Sequence, residues 1–91
     1  MPKLESTLEG QFSRLAKQYH ALFIKVVSPG MAGMPDRMLM KGNGQIIFVE
    51  LKQPGKKPDV RQEAVHATLR RWGMRVEVVD NIQQAVGLLE E

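Results

Sequence analysis

The stretch from residue 37 to residue 52 constrains the fold most, because a Gly42-Asn43-Gly44 break separates two apolar runs, RMLMK and QIIFVELK. Both runs have the length and composition of β-strands, and a short break of glycine and asparagine between such runs is typical of an antiparallel hairpin. The unbroken apolar run from Ile46 to Val49 predicts that the second strand is buried on both faces.

The length of the hairpin loop decides which side chains meet. With residues 42–44 as the loop, Asp36 lies directly opposite Glu50, and the two carboxylates share one face of the sheet. Lys52 follows two residues after Glu50 and therefore shares that face. This register predicts a cluster of two acids and a lysine at the end of the second strand.

A second register is open to the same sequence. A two-residue Asn43-Gly44 turn is common in hairpins, and it would place Asp36 opposite Leu51, with its side chain pointing away from Glu50. We favour the three-residue loop because two acids and a lysine make chemical sense together at one end of a buried strand and little sense apart.

Periodicity predicts the other elements, and the whole order is α-β-β-β-α-β-α. The first helix is predicted over residues 6–19, where Ser6 and Glu9 have the spacing of a capping box. The remaining predicted elements are a strand over 22–27, a helix opened by Asp59 and Gln62 and ended by Gly73, a strand over 74–79 and a helix over 81–91. On the second of these helices, Trp72 ends an apolar stripe and is predicted to lie in the core.

Composition limits the class of protein. The chain has 91 residues, of which 43% are hydrophobic and 25% charged, and this predicts one globular domain over residues 1–91. There is no cysteine, which excludes disulfides and thiol chemistry and fits a cytoplasmic location. No apolar run approaches ~18 residues, so we expect neither a signal peptide nor a membrane span. The net charge of +3 is compatible with nucleic-acid binding without establishing it.

The predicted cluster of Asp36, Glu50 and Lys52 points to a chemistry. Two adjacent carboxylates repel each other unless a cation lies between them. An open pair of carboxylates suits Mg²⁺, which takes oxygen ligands and keeps several waters. A metal there can activate water and polarise a phosphate oxygen, and a neighbouring lysine can orient that water and offset charge. The residues therefore predict hydrolysis of a phosphodiester bond.

These same residues carry a resemblance to a known family. Asp36 after Pro35, followed by Glu50-Leu51-Lys52, reproduces the PD-(D/E)XK nuclease motif. The segments KVVSPGMAGMPDR, FVELKQPGKKP and GMRVEVVD, together with Gln62, resemble the stand-alone VRR-NUC (virus-type replication-repair nuclease) domain. The resemblance covers the chain from about residue 9 to about residue 89. It implies an α/β fold, with a restriction-endonuclease-like α-β-β-β-α-β core, a mixed sheet and a C-terminal helix.

The resemblance also implies roles for individual residues. It implies that Asp36, Glu50, Glu9 and the carbonyl of Leu51 bind Mg²⁺ or Mn²⁺. By the same resemblance, the catalytic residues are Asp36, Glu50, Lys52, Gln62 and Glu9. Glu9 and Gln62 have a second interpretation, as capping partners of Ser6 and Asp59. Basic residues beside the predicted pocket are expected to contact DNA phosphates, and they are Lys25, Arg37, Lys56, Lys57 and Arg61.

The function implied by the resemblance is a metal-dependent, structure-selective DNA endonuclease. The family further implies a homodimer that acts on branched DNA such as four-way junctions, in the cytoplasm of a bacterium or of a phage-infected cell. Two alternatives stay open: a flap or end-processing nuclease with the same chemistry, and, from another class, a catalytically silent nuclease-like module that only binds DNA. A purely structural partner domain is a further alternative, and it predicts no metal binding.

Overall fold

The structure is a computed structural model that describes residues 7–91. Its elements follow the predicted order α-β-β-β-α-β-α. Their bounds are α1 Leu8–Gln18, β1 Leu22–Lys25, β2 Arg37–Met40, β3 Ile46–Leu51, α2 Val60–Arg71, β4 Arg75–Val79 and α3 Ile82–Glu90. Among the residues described, no helix has the length and apolar character needed to cross a membrane.

The four strands form one mixed sheet in the order β1-β2-β3-β4. The pairs β1–β2 and β2–β3 are antiparallel, whereas β3 and β4 are parallel and are connected through α2. A parallel pair needs such a crossover, because the chain must return to the same end of the sheet before the next strand begins. The predicted α/β fold with a mixed sheet is confirmed.

The hairpin adopts the three-residue loop. Arg37 pairs with Val49 and Met40 with Ile46, which is the register that brings residue 36 opposite residue 50. The Asn43 side chain accepts a hydrogen bond from the Gln45 amide at 2.9 Å, and Gly44 has a φ of 87°, a conformation that costs glycine little. The favoured register is therefore confirmed, and the two-residue turn is excluded.

The hydrophobic core lies between one face of the sheet and helices α1 and α3. Those two helices pack against each other, α1 also packs on β1, and α3 packs on β4. The core is extended by the stacked rings of Phe12 and Phe23, whose centroids are 4.1 Å apart. Its buried members are Phe12, Ala16, Ala21, Leu39, Ile47, Val49, Val79, Ala85, Leu88 and Leu89.

Helix α2 lies on the opposite face of the sheet, where it packs against β4. It contributes the buried residues His66 and Leu69, and β4 contributes Val76 to the same side. Asp59 caps the helix, as predicted, and its side chain accepts a hydrogen bond from the Gln62 amide at 2.8 Å. This second layer is smaller than the α1–α3 layer, and on its face of the sheet Leu22 and Ile24 of β1 are exposed.

Two burial predictions were wrong. Strand β3 is not buried on both faces: Ile47 and Val49 are buried, whereas Ile46 is 51% exposed. The alternation arises because α1 and α3 pack on the face that carries Ile47 and Val49, while α2 packs on the other face at β4. Trp72 is not in the core but 67% exposed, because α2 ends at Arg71 and Trp72 forms its C-cap.

The ends of the first elements also differ from the prediction. Ser6 lies outside the described residues, and the N-cap of α1 is Thr7, whose side chain accepts a hydrogen bond from the Gly10 amide at 3.0 Å. The third helical position is therefore Gly10 rather than Glu9, so Glu9 does not have the capping-box geometry predicted for it. Strand β1 ends at Lys25, two residues earlier than predicted.

Candidate active site

The site lies where β3 ends, beside the start of β2 and the first turn of α2. The hairpin register places Asp36 one residue before β2 and opposite Glu50. Its Oδ1 atom accepts a hydrogen bond from the Leu51 amide at 3.2 Å, and its own carbonyl accepts one from the Val26 amide. The buried Pro35 fixes the chain on its other side. Asp36 is thus held by backbone groups of Leu51 at the end of β3 and of Val26 just after β1.

Glu50 is the most deeply buried charged residue of the site, with 3% of its surface exposed. Its Oε2 atom accepts a hydrogen bond from Gln62 Nε2 at 3.0 Å and lies 3.5 Å from Lys52 Nζ. Its Oε1 atom is buried and has no hydrogen-bond partner. Burial raises the pKa of the Glu50 carboxyl above its usual value, the Asp36 charge raises it further, and Lys52 acts in the opposite direction. The site therefore holds a buried oxygen with an unused acceptor position.

Lys52 is held by the side chain of Gln62. Its Nζ atom donates to Gln62 Oε1 at 2.8 Å while it also faces Glu50. The same Gln62 oxygen accepts a hydrogen bond from the Asp59 amide at 3.0 Å, which completes the capping box of α2. Gln62 therefore caps α2 and also contacts two residues of the predicted site, because its amide nitrogen donates to Glu50 while its oxygen accepts from both Lys52 and the Asp59 amide.

His66 lies one helical turn after Gln62 and is 1% exposed. Its Nε2 atom is 3.8 Å from Glu50 Oε1, and neither atom has a hydrogen-bond partner. Burial lowers the pKa of His66, and the positive charges of Arg70 and Lys52 lower it further, so the ring is neutral near pH 7. A neutral imidazole carries no positive charge, so His66 does not form a salt bridge with the Glu50 carboxylate.

Glu9 lines the same pocket as Asp36 and Lys52, together with Leu51 and Pro54. Its carboxylate forms an ion pair with Arg37, whose side chain is only 13% exposed. The guanidinium of Arg37 also lies 6.0 Å from the centre of the Phe23 ring. The structure thus places Glu9 at the rim of the pocket with its charge already paired, and it places Arg37 mostly inside the protein.

The donor set suits a small hard cation. Within residues 7–91, no group of three or more His, Asp or Glu side chains is arranged to hold a metal. Mg²⁺ does not need one, because it is commonly held by one or two carboxylates and keeps several waters. The residues Asp36 and Glu50 supply two carboxylates. The Leu51 carbonyl lies at the end of β3, next to the Leu51 amide that donates a hydrogen bond to Asp36.

Comparison with known proteins adds independent information. No family model matches the chain. The chain is 40% identical over 77 residues to "Putative nuclease p44" of Acyrthosiphon pisum secondary endosymbiont phage 1, and this match covers 85% of the chain and 83% of the phage protein. A solved structure of a "VRR_NUC domain" superposes with a TM-score of 0.86 and 28% sequence identity, covering 99% of the chain and 98% of that domain. The chain belongs to the VRR-NUC family of nucleases.

Within this VRR-NUC fold, the sequence prediction missed one site contact and undervalued another. The Glu9–Arg37 pair was missed because its partners lie on different elements and no local spacing links them. His66 follows Gln62 by four residues, and its position in the sequence allows two interpretations: a partly buried helix histidine, or a side chain that reaches the active site. The i to i+4 spacing was nevertheless the correct signal, since it places His66 against Glu50.

Four of the five basic residues predicted to contact DNA are exposed in this chain, and they are Lys25, Lys56, Lys57 and Arg61. Lys56 and Lys57 lie in the loop after Lys52. That loop is anchored to the end of β4 by the Gly55 amide, which donates to Asp80 Oδ2 at 3.0 Å. Lys56 and Lys57 follow the pocket residues Gln53 and Pro54 in the chain. Contact of the four cations with DNA stays a prediction.

Proposed function

We propose that this VRR-NUC chain is a Mg²⁺- or Mn²⁺-dependent endonuclease that hydrolyses phosphodiester bonds in DNA. The observation that carries the proposal is the convergence of Asp36, Glu50 and Lys52 at the end of β3. It brings two acids and an amine together, with the amine 3.5 Å from a Glu50 oxygen. A surface hairpin has no need for two opposed acids, since like charges across a strand pair are destabilising.

The metal would be held by Asp36, Glu50 and the carbonyl of Leu51, with water completing its ligands. The fit is supported by the buried Glu50 Oε1 atom without a hydrogen-bond partner, which is costly in a site that binds nothing. A bound Mg²⁺ or Mn²⁺ would supply Lewis-acid polarisation of the scissile phosphate and acidify a water for attack. Glu9 is the fourth proposed ligand, and its ion pair with Arg37 favours a contact through water over a direct one.

Lys52 and Gln62 act on the reacting groups from the side of α2. The Lys52 ammonium would orient the attacking water and offset the negative charge that develops on the phosphate in the transition state. Gln62 would hold that ammonium in place through its oxygen at 2.8 Å and hold Glu50 through its nitrogen at 3.0 Å. Because one side chain fixes both groups, their spacing is set before the substrate arrives.

The proposed substrate is branched DNA, with four-way junctions preferred over linear duplex. The chain carries no separate DNA-reading motif such as a zinc finger, so selectivity would come from the spacing of two active sites in a homodimer. The exposed cations at Lys25, Lys56, Lys57 and Arg61 would contact the phosphates beside the cut. The phage relative and the absence of cysteine support a cytoplasmic location in a bacterium or a phage-infected cell.

A cleavage panel tests this function. The purified chain should cut a four-way junction with Mn²⁺ faster than it cuts flap, splayed-arm or linear duplex DNA of the same sequence, and EDTA should stop all cleavage. Asp36→Asn should abolish cleavage while its circular dichroism spectrum stays that of the wild type. Full activity in Asp36→Asn or in excess EDTA would refute the metal mechanism. Equal cutting of all four substrates would refute the junction preference alone.

A further inference from the structure

The sheet face on the α2 side carries an apolar surface that the described residues do not cover. We name it the open sheet face, and its six residues are Leu22, Ile24, Met38, Met40, Ile46 and Phe48. The strand register arranges them in two rows across β1, β2 and β3, with Leu22 beside Met40 and Ile46, and Ile24 beside Met38 and Phe48. Six adjacent apolar side chains in two rows therefore lie on one face.

The exposure of this face is unusual for an antiparallel sheet. Leu22 is 61% exposed, Ile24 43% and Ile46 51%, while the other three residues are partly buried. An antiparallel face that meets water normally carries polar residues. Here the residues between them in sequence, such as Phe23 and Leu39, point to the α1–α3 layer, so the chain is apolar on both faces of these strands.

We propose that the open sheet face is the surface through which two copies of this chain form a two-fold symmetric dimer. The inference rests on the proposed function, since it identifies the interface of the proposed homodimer. In a two-fold dimer the same patch meets itself, so the patch must be complementary to itself. None of its six side chains is charged, and an uncharged apolar face meets that condition. DNA is the poorer fit, because phosphate binding needs cations that this face lacks.

The size of the surface agrees with a dimer. Three strands and three residue positions span roughly 14 Å by 10 Å, which forms the apolar centre of an interface of about 800 Å² per partner. One further exposed residue extends it just after α2: Met74 is 43% exposed and borders the same groove as Ile46 and Phe48. Aromatic residues and methionines are enriched in such interfaces.

The position of the surface links it to the active site. The next row along the same face contains Asp36 and Glu50, about 7 Å beyond the row of Ile24, Met38 and Phe48. Two copies packed through this face would carry both active sites beside the interface. The spacing between the two cuts would then be set by the dimer, as the junction substrate requires.

Analytical ultracentrifugation of single variants tests the interface. The wild-type chain should be a dimer at micromolar concentration. Ile24→Glu should raise the dimer dissociation constant by at least ~100-fold, because it places an unpaired carboxylate on each side of an apolar contact. The matched control is Val60→Glu, which puts the same charge at a position that is 86% exposed on the first turn of α2 and should leave the dimer unchanged. A monomeric wild type, or a dimer that Ile24→Glu leaves intact, would overturn the proposal.

A second measurement covers the case in which Ile24→Glu fails to fold. Because the chain has no cysteine, single cysteines can be introduced at Leu22 and Ile46 and treated with a short bis-maleimide. Covalent dimers should form from at least one of them and not from Val60→Cys, and equal cross-linking at Val60 would overturn the proposal. A wild-type monomer that still cleaves DNA with Mn²⁺ would reject the interface alone. A dimer through this face that cleaves no DNA would reject the nuclease function alone.

Discussion

Gln62 shows how one side chain can join folding to chemistry. Its oxygen accepts hydrogen bonds from the Asp59 amide and from Lys52, and its nitrogen donates to Glu50. Since the helix cap fixes where Gln62 lies, the first turn of α2 also fixes the separation of the amine and the acid. The geometry of the site therefore depends on α2 beginning at Val60, directly after its N-cap Asp59.

Glu50 gives the first prediction at this scale. A carboxyl whose folded pKa lies above its unfolded pKa stabilises the fold only while protonated, and that contribution is lost as pH rises through the folded pKa. Burial raises the pKa of Glu50, so its ionised form opposes folding at neutral pH. Glu50→Gln should therefore raise the free energy of unfolding in EDTA by about 1 kcal/mol. This corresponds to a rise in Tm of roughly 4–8 °C, as followed by differential scanning calorimetry.

The same experiment, repeated with metal, separates binding from simple stabilisation. Mn²⁺ at ~100-fold its Kd should add about 2.7 kcal/mol to the wild type, since it binds only the folded state. Glu50→Gln should show no such gain. A metal-dependent rise in Tm that persists in this variant would exclude Glu50 as a ligand.

Lys52 gives the second prediction. Lys52→Ala should lower kcat by something on the order of 10²-fold, the usual reduction when one electrostatic interaction with a transition state is removed. The DNA dissociation constant should change far less, because Lys52 is one of several cations near the pocket. Lys17→Ala, which removes an exposed cation from the end of α1, serves as the matched control and should leave kcat unchanged. An equal loss of binding and turnover would identify Lys52 as a phosphate anchor.

At the scale of the element, sequence rules correctly predicted the features that depend only on neighbouring residues. The capping box at Asp59 and Gln62 and the three-residue hairpin loop depend on neighbours within a few positions, and both are present. Burial was harder to predict, because exposure depends on which helix covers which part of the sheet. The apolar run that begins at Ile46 and the apolar stripe that ends at Trp72 predict burial, and nothing in the local sequence shows that α2 leaves these two residues exposed.

The end of α1 offers a site for a stabilising substitution. His20 has a φ of 57°, which makes it the left-handed residue of a Schellman motif, with its amide bonded to the Lys17 carbonyl and the next amide bonded to Ala16. A residue with a Cβ atom is strained in this conformation by about 1 kcal/mol. His20→Gly should therefore raise the free energy of unfolding by about 0.5–1 kcal/mol, as measured by urea denaturation.

His20→Ala is the control for that measurement. Alanine removes the imidazole but keeps the Cβ atom, so its stability should not rise as that of glycine does. Equal stabilisation by both substitutions would mean that the imidazole, and not the backbone conformation, is the source of the strain.

At the scale of the whole molecule, the convergence of Asp36, Glu50 and Lys52 could be predicted from the sequence, whereas the packing around these residues could not. Asp36, Glu50 and Lys52 come together through strand pairing, which obeys a simple rule of register. The Glu9–Arg37 pair and the open sheet face arise from the packing of layers, which the sequence encodes only through long-range contacts. The proposed DNA path, in contrast, depends on exposed cations that lie on several separate segments.

That distribution makes the last prediction a test of the path. Lys56 and Lys57 are exposed in the loop that follows Lys52, at the N-terminal end of α2. Each phosphate that a cation neutralises releases counterions, so removing one such cation makes the slope of log K against log salt concentration less steep by about 0.9. The double variant Lys56→Ala/Lys57→Ala should reduce the slope for junction binding by about 2, measured by fluorescence anisotropy with Ca²⁺ in place of a catalytic metal.

Arg71→Ala is the control for this measurement. It removes an exposed cation from the far end of α2, about 16 Å away along the helix, and should leave the slope unchanged. A slope reduced equally by both variants would mean that the DNA follows the whole length of α2, whereas a slope altered only by Arg71→Ala would place it away from the pocket.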